Sequence, residues 1–137
     1  MSDCIFCKIV TGEIPASKVY EDDQVLAFLD ITQVTKGHTL VIPKKHYRNI
    51  LDMDGEAAST LFSVVPAIAK QLKEKLGASG LNIVNNNEAE AGQTVFHTHV
   101  HLLPRFGKHD GLDIRFKTNE PDFPALTLLA QDLYLGE

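Results

Sequence analysis

The stretch that most constrains the fold is His97 to Leu103, HTHVHLL, in which histidines occupy every second position. Side chains alternate across a β-strand, so this spacing places His97, His99 and His101 on one face and Thr98, Val100 and Leu102 on the other. We therefore expect a strand from Val95 to Leu103 with one chemical face and one buried face. At a rise of about 3.3 Å per residue the outer histidines stand roughly 13 Å apart, too far to converge on one ion from a straight strand. Division of labour among the three is the better expectation. Three imidazoles on a half-buried face are costly unless hydrogen bonded or ligated, which favours a functional reading over a bystander one.

The rest of the chain supplies a sheet and helices around this segment. Gly12 and Pro15 mark a loop after the N-terminus, and strands are predicted at Lys18–Glu21, Val25–Asp30 and Thr39–Pro43 from their β-branched and apolar runs. A long helix should be capped by Asp54, run through Leu61, Phe62, Val65, Ile68, Ala69, Leu72 and Leu76, and stop at Gly77. Pro66 lies inside it and predicts a kink or local break. Leu81–Val84 reads as a strand paired antiparallel with the triad strand through the polar run NNNEAEAGQ. Beyond Arg105 the pattern is weak until Pro124, where Leu126, Leu129, Ala130 and Leu133 predict a last helix ending near Gly136. This order fits an α+β domain with an antiparallel sheet, one long helix and a C-terminal helix. With 137 residues and 44% hydrophobic content, a single domain is expected.

A net charge of -5 argues against coating nucleic acid, which needs clustered Lys and Arg, but leaves small anionic ligands open. No run reaches the roughly 18 to 20 apolar residues of a membrane helix, and MSDCIFCKIV has no leader pattern, so a cytoplasmic location is expected. In a reducing compartment Cys4 and Cys7, spaced C-x-x-C, suggest redox or metal chemistry. Spacing alone does not separate a redox pair from half a zinc site. His46 and His97 can supply the remaining ligands of a tetrahedral structural zinc, which would leave His99 and His101 free for catalysis.

Neutral imidazole is a good nucleophile near pH 7 and can carry a phosphoryl or nucleotidyl group. His99 is the natural candidate because residues on either side share its face, and His101 is placed to meet the phosphate or the leaving group. Gly92, Gln93 and Thr94 form a loop suited to phosphate, since glycine admits close backbone approach and the other two donate hydrogen bonds. Asn85, Asn86 and Asn87 read first as turn formers, and so does Asp30.

CIFCKIV, VLAFLD, GHTLVIPKKH and AGQTVFHTHVHLLPR, in that order, resemble segments of the histidine triad family of nucleotide hydrolases and transferases, in its bacterial Hint-like branch. The likeness covers about residues 4–105, and the extension 106–137 matches least well. The resemblance implies a homodimer with joined sheets, each protomer binding a purine nucleoside monophosphate. It implies that His99 attacks the α-phosphorus, that His101 and Thr94 contact phosphate or leaving group, and that His38 orients the triad. Asp30 would hold the ribose hydroxyls, with Phe6, Ile9, Phe28 and Ile31 around the base and Gly92, Gln93 and Asn86 near the phosphate. It further implies structural zinc on Cys4, Cys7, His46 and His97. The expected activity is hydrolysis of adenosine phosphoramidates or related nucleotidyl conjugates to AMP. The alternatives are dinucleoside polyphosphate hydrolysis and a nucleotide-binding interaction protein with incidental turnover.

Overall fold

The computed structural model describes residues 3–136 and has an antiparallel five-stranded sheet as its centre. The elements in chain order are α1 (Ile5–Thr11), β1 (Lys18–Glu21), β2 (Val25–Leu29), β3 (Thr39–Pro43), α2 (Gly55–Ser63), α3 (Val65–Leu76), β4 (Gly80–Val84), β5 (Val100–Arg105) and α4 (Phe123–Leu133). The strands lie in the order β1-β2-β3-β5-β4. The α+β expectation is met.

Alternation divides the sheet into two packed faces. Val25, Ala27, Val41, Val100 and Leu102 meet Leu61, Val65 and Ile68 of α2 and α3. Leu26, Phe28, Leu40 and Ile42 meet Phe6 and Ile9 of α1. Each large side chain removed from water here contributes about 1.5 to 3 kcal/mol. Register places the chemistry on the second face: Phe28 pairs with Leu40 and Leu40 with His101, so His101 continues the row that α1 covers.

Asp54 accepts a hydrogen bond from the Ala57 amide and starts α2, while Gly77, at φ 68°, ends α3 in the left-handed conformation. The expected long helix is broken at Val64. Pro66 falls in the first turn of α3, where its missing amide donor costs nothing.

Two elements differ from expectation. The segment after Cys4 is a helix, α1, not an open lead-in to a loop. The amide of its third residue is capped by a thiol, since Cys7 N–H donates to Cys4 Sγ at 3.3 Å, and Gly12 closes it at φ 87°. The triad strand begins only at Val100, so His97 and His99 precede it and His101 alone is in the ladder. The backbone before Val100 is spent elsewhere. Thr98 N–H donates to Tyr47 O, the His97 carbonyl accepts from the His99 ring, and the His99 carbonyl accepts from Asn85 Nδ2. Two side chains and the connector carbonyl of Tyr47 there take the bonds that a neighbouring strand would otherwise make.

Beyond Leu112 the chain is exposed throughout its described length, including Leu126, Leu129 and Leu133 of α4. No helix of the described residues is long and apolar enough to cross a membrane.

Candidate functional site

Four histidines are buried or nearly so along β3 and the start of β5 on the side that α1 covers, and their hydrogen bonds decide which nitrogen of each carries a proton. A carbonyl oxygen only accepts, so His97 Nε2 must donate to Pro43 O at 2.8 Å and His99 Nδ1 must donate to His97 O at 2.8 Å. His97 therefore presents a bare Nδ1, and His99 a bare Nε2.

The remaining pair is fixed from the loop that joins β2 to β3. Val34 N–H donates to His38 Nδ1 at 3.3 Å, so the His38 proton sits on Nε2 and is donated to His101 Nδ1, 2.9 Å away. His101 then carries its own proton on Nε2. The result is a bare nitrogen on His99 beside an N–H on His101, with ring centroids 5.0 Å apart. That is the pairing a nucleophile and a donor to a leaving group require.

Burial sets the charge state. Desolvation lowers the pKa of all four rings: His97 and His101 fall to about 4, and His38 and His99 shift in the same direction. Neighbouring rings add to the shift of His101, while the Asp30 carboxylate opposes it. Asp30 itself is pushed up by burial, but the Thr32 hydroxyl and amide and the nearby histidines outweigh this and hold it below its ordinary value. At neutral pH the site therefore holds neutral imidazoles beside one carboxylate.

Cys4, Cys7, His46 and His97 do converge, their four ligand atoms lying within 4.8 Å of one another. Cys4 Sγ and Cys7 Sγ stand 3.4 and 3.6 Å from His97 Nδ1, and Cys7 Sγ stands 3.3 Å from His46 Nδ1. Those spacings match the edges of about 3.5 Å of a tetrahedron with metal–sulfur and metal–nitrogen bonds of about 2.3 and 2.0 Å. The bare Nδ1 of His97 points into this group. Burial and the Cys4 sulfur raise the Cys7 thiol, which a bound cation would reverse.

Asp30, His38 and His101 form a second convergent group. Its wiring is different, because a proton already lies between His38 Nε2 and His101 Nδ1 and the Val34 amide fills the other face of His38. Placing a metal on His38 Nε2 would move that proton to Nδ1, against an N–H.

A cavity of about 550 Å³ adjoins this pair, lined by Phe6, Ile9, Phe28, Asp30, Ile31 and Leu40 among others. All the residues expected around a base and ribose are thus brought together, Ile31 at the rim with 98% exposure. Phe6 links the parts: its ring meets Phe28, His97 and His99 edge to face at 5.6, 5.9 and 5.2 Å. A flat apolar ligand enclosed here would end beside a carboxylate and His99.

The loop before the triad divides in its roles. Gly92 has φ 97°, a conformation that favours glycine, and a Cβ there would lie 3.7 Å from Asn86 Nδ2. Asn86 and the exposed Thr94 use their side chains in no hydrogen bond among the described residues, so both are free for a ligand. Gln93 is not. Its Oε1 accepts from Asn49 Nδ2 and Glu88 N–H, and its Nε2 donates to Arg48 O and Val95 O. The Gln93 amide expected near the phosphate instead locks the loop shut.

Sequence reasoning missed two residues here. Asn85 carries a relay in which Ile50 N–H donates to Asn87 Oδ1, Asn87 Nδ2 to Asn85 Oδ1, and Asn85 Nδ2 to His99 O. Val34 acts through its amide, which leaves no side-chain signature. The first could have been suspected from three consecutive polar amides one loop away from His99.

The structure closely matches a crystal structure of a protein from Streptococcus mutans UA159, with 62% identity, a TM-score of 0.94, and 97% of this chain and 84% of that one covered. A histidine triad nucleotide-binding protein from Candida albicans is 35% identical with a TM-score of 0.87, over 96% and 94% of the two chains. The adenylylsulfatase HINT3 of Arabidopsis thaliana is 42% identical over 104 residues, 76% of this chain and 53% of that protein. The family model of the HIT domain matches residues 11–108, and with the buried histidines in place the chain belongs to the HIT domain family.

Proposed function

We propose that this protein hydrolyses purine nucleotidyl conjugates, adenosine phosphoramidates first among them, through a nucleotidyl-histidine on His99, and releases AMP. The observation that carries the reading is the fixed tautomer of His99, with Nδ1–H held by the His97 carbonyl and Nε2 bare. The base would lie in the apolar cavity beside Phe6, Ile9, Phe28 and Ile31, with Asp30 accepting from the ribose hydroxyls. Thr94, Asn86 and the Gly92 backbone would meet the phosphate.

His99 Nε2 attacks the α-phosphorus as the phosphorus–nitrogen bond to the leaving amine breaks, and His101, which has taken up one proton from water in the complex, passes its Nε2 proton to that amine and becomes neutral. Water then attacks the nucleotidyl-histidine, the bond from phosphorus to Nε2 breaks, and the water proton returns to His101. Negative phosphate oxygens would raise His101 from its ligand-free value near 4 toward the range where it exchanges a proton readily. Both imidazoles end the cycle as they began.

Structural zinc on Cys4, Cys7, His46 and His97 belongs to the same reading. It would pin α1 and the connector after β3 to His97, supplying rigidity and no step of the reaction. A homodimer and a cytoplasmic location complete the proposal. The likeness to an adenylylsulfatase makes adenylyl sulfate, with sulfate as leaving group, the second conjugate to examine.

Incubation of wild type and His99→Ala with an adenosine phosphoramidate tests the reading. AMP release by wild type, lost from a folded variant, is the expected outcome. Equal release by the two proteins would remove His99 as nucleophile.

A further inference from the structure

Arg105 ends β5, four residues beyond His101, and every arm of its guanidinium is engaged. Nε and Nη2 donate to Asp110 Oδ2 and Oδ1 at 2.8 and 3.2 Å, Nη1 to Asn82 Oδ1 at 2.6 Å, and Nη2 to Leu112 O at 2.8 Å. The Asp110 side chain is only 4% exposed and also accepts from the Phe106 and Gly107 amides at 2.8 and 3.3 Å. Its carboxyl is held well below the usual carboxylate range, by Arg105 first and those amides next. A forked, hydrogen-bonded pair of this kind fixes geometry in a way that a single exposed ion pair does not. Residues 106–112 are thereby closed into a firm turn.

That turn bears on the loop between β2 and β3. Gly111 has φ 101°, and a Cβ built on it would lie 2.0 Å from the carbonyl oxygen of Val34. Behind the same loop, a Cβ on Gly37 would meet Leu76 at 2.2 Å and Pro104 at 3.3 Å, so the end of α3 and the end of β5 both back the loop. From the inner side Gln33 holds it, with Nε2 donating to Asp30 O and His38 O and Oε1 accepting from Gly37 N–H. Val34, its side chain exposed, meets the turn through its carbonyl at Gly111 and aims its amide at His38 Nδ1.

We infer that Arg105, Asp110 and Gly111 form a strut that seats Val34 against His38 and so fixes which nitrogen of His101 carries the proton. The inference deepens the nucleotidyl-transfer reading and rests on it for its effect on rate. The three are positioning residues: none lines the nucleotide cavity, and they act through Val34 and His38. Without the strut the Val34 amide withdraws, both His38 tautomers become accessible, and His101 loses its fixed donor.

The test uses the full chain, as Gly111→Ala and Asp110→Asn. Long-range 15N–1H spectra at neutral pH read the tautomers of His38 and His101, and AMP release from an adenosine phosphoramidate gives kcat and KM. We expect His38 to become a mixture of tautomers while His97 and His99 keep theirs, with kcat lowered about tenfold and KM changed less than about twofold, as for a misplaced catalytic group. A strut that served only stability would lower the melting temperature and leave the tautomers and the kcat of the folded fraction alone, and that result would overturn the inference. If Gly111→Ala fails to fold, the isosteric Asp110→Asn carries the test. Failure of both to fold would also overturn it, since the strut would then serve the whole domain. If wild type releases no AMP, the nucleotidyl-transfer reading fails, while the His38 tautomer still decides the strut.

Discussion

Two groups of side chains with similar chemistry sit on either side of His99. Cys4, Cys7, His46 and His97 place their ligand atoms within 4.8 Å of one another, and so do Asp30, His38 and His101. In the first group the His97 proton is drawn away by Pro43 O, leaving lone pairs and thiols facing inward. In the second a proton lies between two rings and the Val34 amide blocks its retreat. Histidines common to both groups thus turn open ligand atoms inward in one place and hold a proton between them in the other. The difference lies in single backbone groups behind the rings, a carbonyl in one case and an amide in the other.

Substitutions that strike one side and spare the other sharpen this contrast. The largest effect belongs to the residue between the two groups: His99→Ala should lower turnover at least about a thousandfold with little change in melting temperature, measured by AMP release and thermal unfolding. On the proton side, His38→Asn should lower kcat about a hundredfold and leave bound metal unchanged by elemental analysis. On the cation side, Cys4→Ser with Cys7→Ser should remove about one zinc per chain and lower the melting temperature by about 10 °C. Because Cys4 also caps the helix that carries Phe6 and Ile9, KM should rise a few-fold while kcat stays within about threefold. A collapse of kcat in that double variant would mean that the two groups are not separate.

The smallest effect is a pH dependence of stability. The folded pKa of His101 is about 4, below the unfolded value of about 6.5, so the unfolded chain binds more protons between them. Its contribution is present above pH 6.5 and is lost as pH falls toward 4. Thermal unfolding across that window should be steeper for wild type than for His101→Asn by a few degrees. Equal slopes would contradict a buried neutral His101.

Much of this architecture was legible in the sequence, and the failures share a cause. Thr39–Pro43, the Asp54 cap, the interruption near Pro66 and the Gly77 stop obey local rules and stand where the pattern puts them. Helix α1 escaped notice because its cap is a thiol, a residue type that the usual capping signals do not include. The triad strand was read too long because alternation reports where side chains point, whereas residues 97–99 owe their places to the bond from Thr98 to Tyr47, to Asn85 on the His99 carbonyl, and to the His99 ring on the His97 carbonyl. Gln93 looked like a phosphate ligand and proved to be spent on Asn49, Glu88, Arg48 and Val95, partners that only the folded loop brings near. The members of both clusters could be named in advance. Their proton positions could not, because Pro43 O and the Val34 amide are backbone groups with no identity in a sequence.

The central claim is that a bare His99 Nε2 does the chemistry, and the most direct measurement is the site of attachment in the covalent intermediate. Wild type would be mixed with an adenosine phosphoramidate, quenched within a turnover, digested, and its adenylylated peptide analysed by fragmentation and phosphorus–nitrogen coupling. The account predicts a single adenylyl group on His99, joined through Nε2. Attachment to His97 or His101, or to His99 through Nδ1, would contradict it.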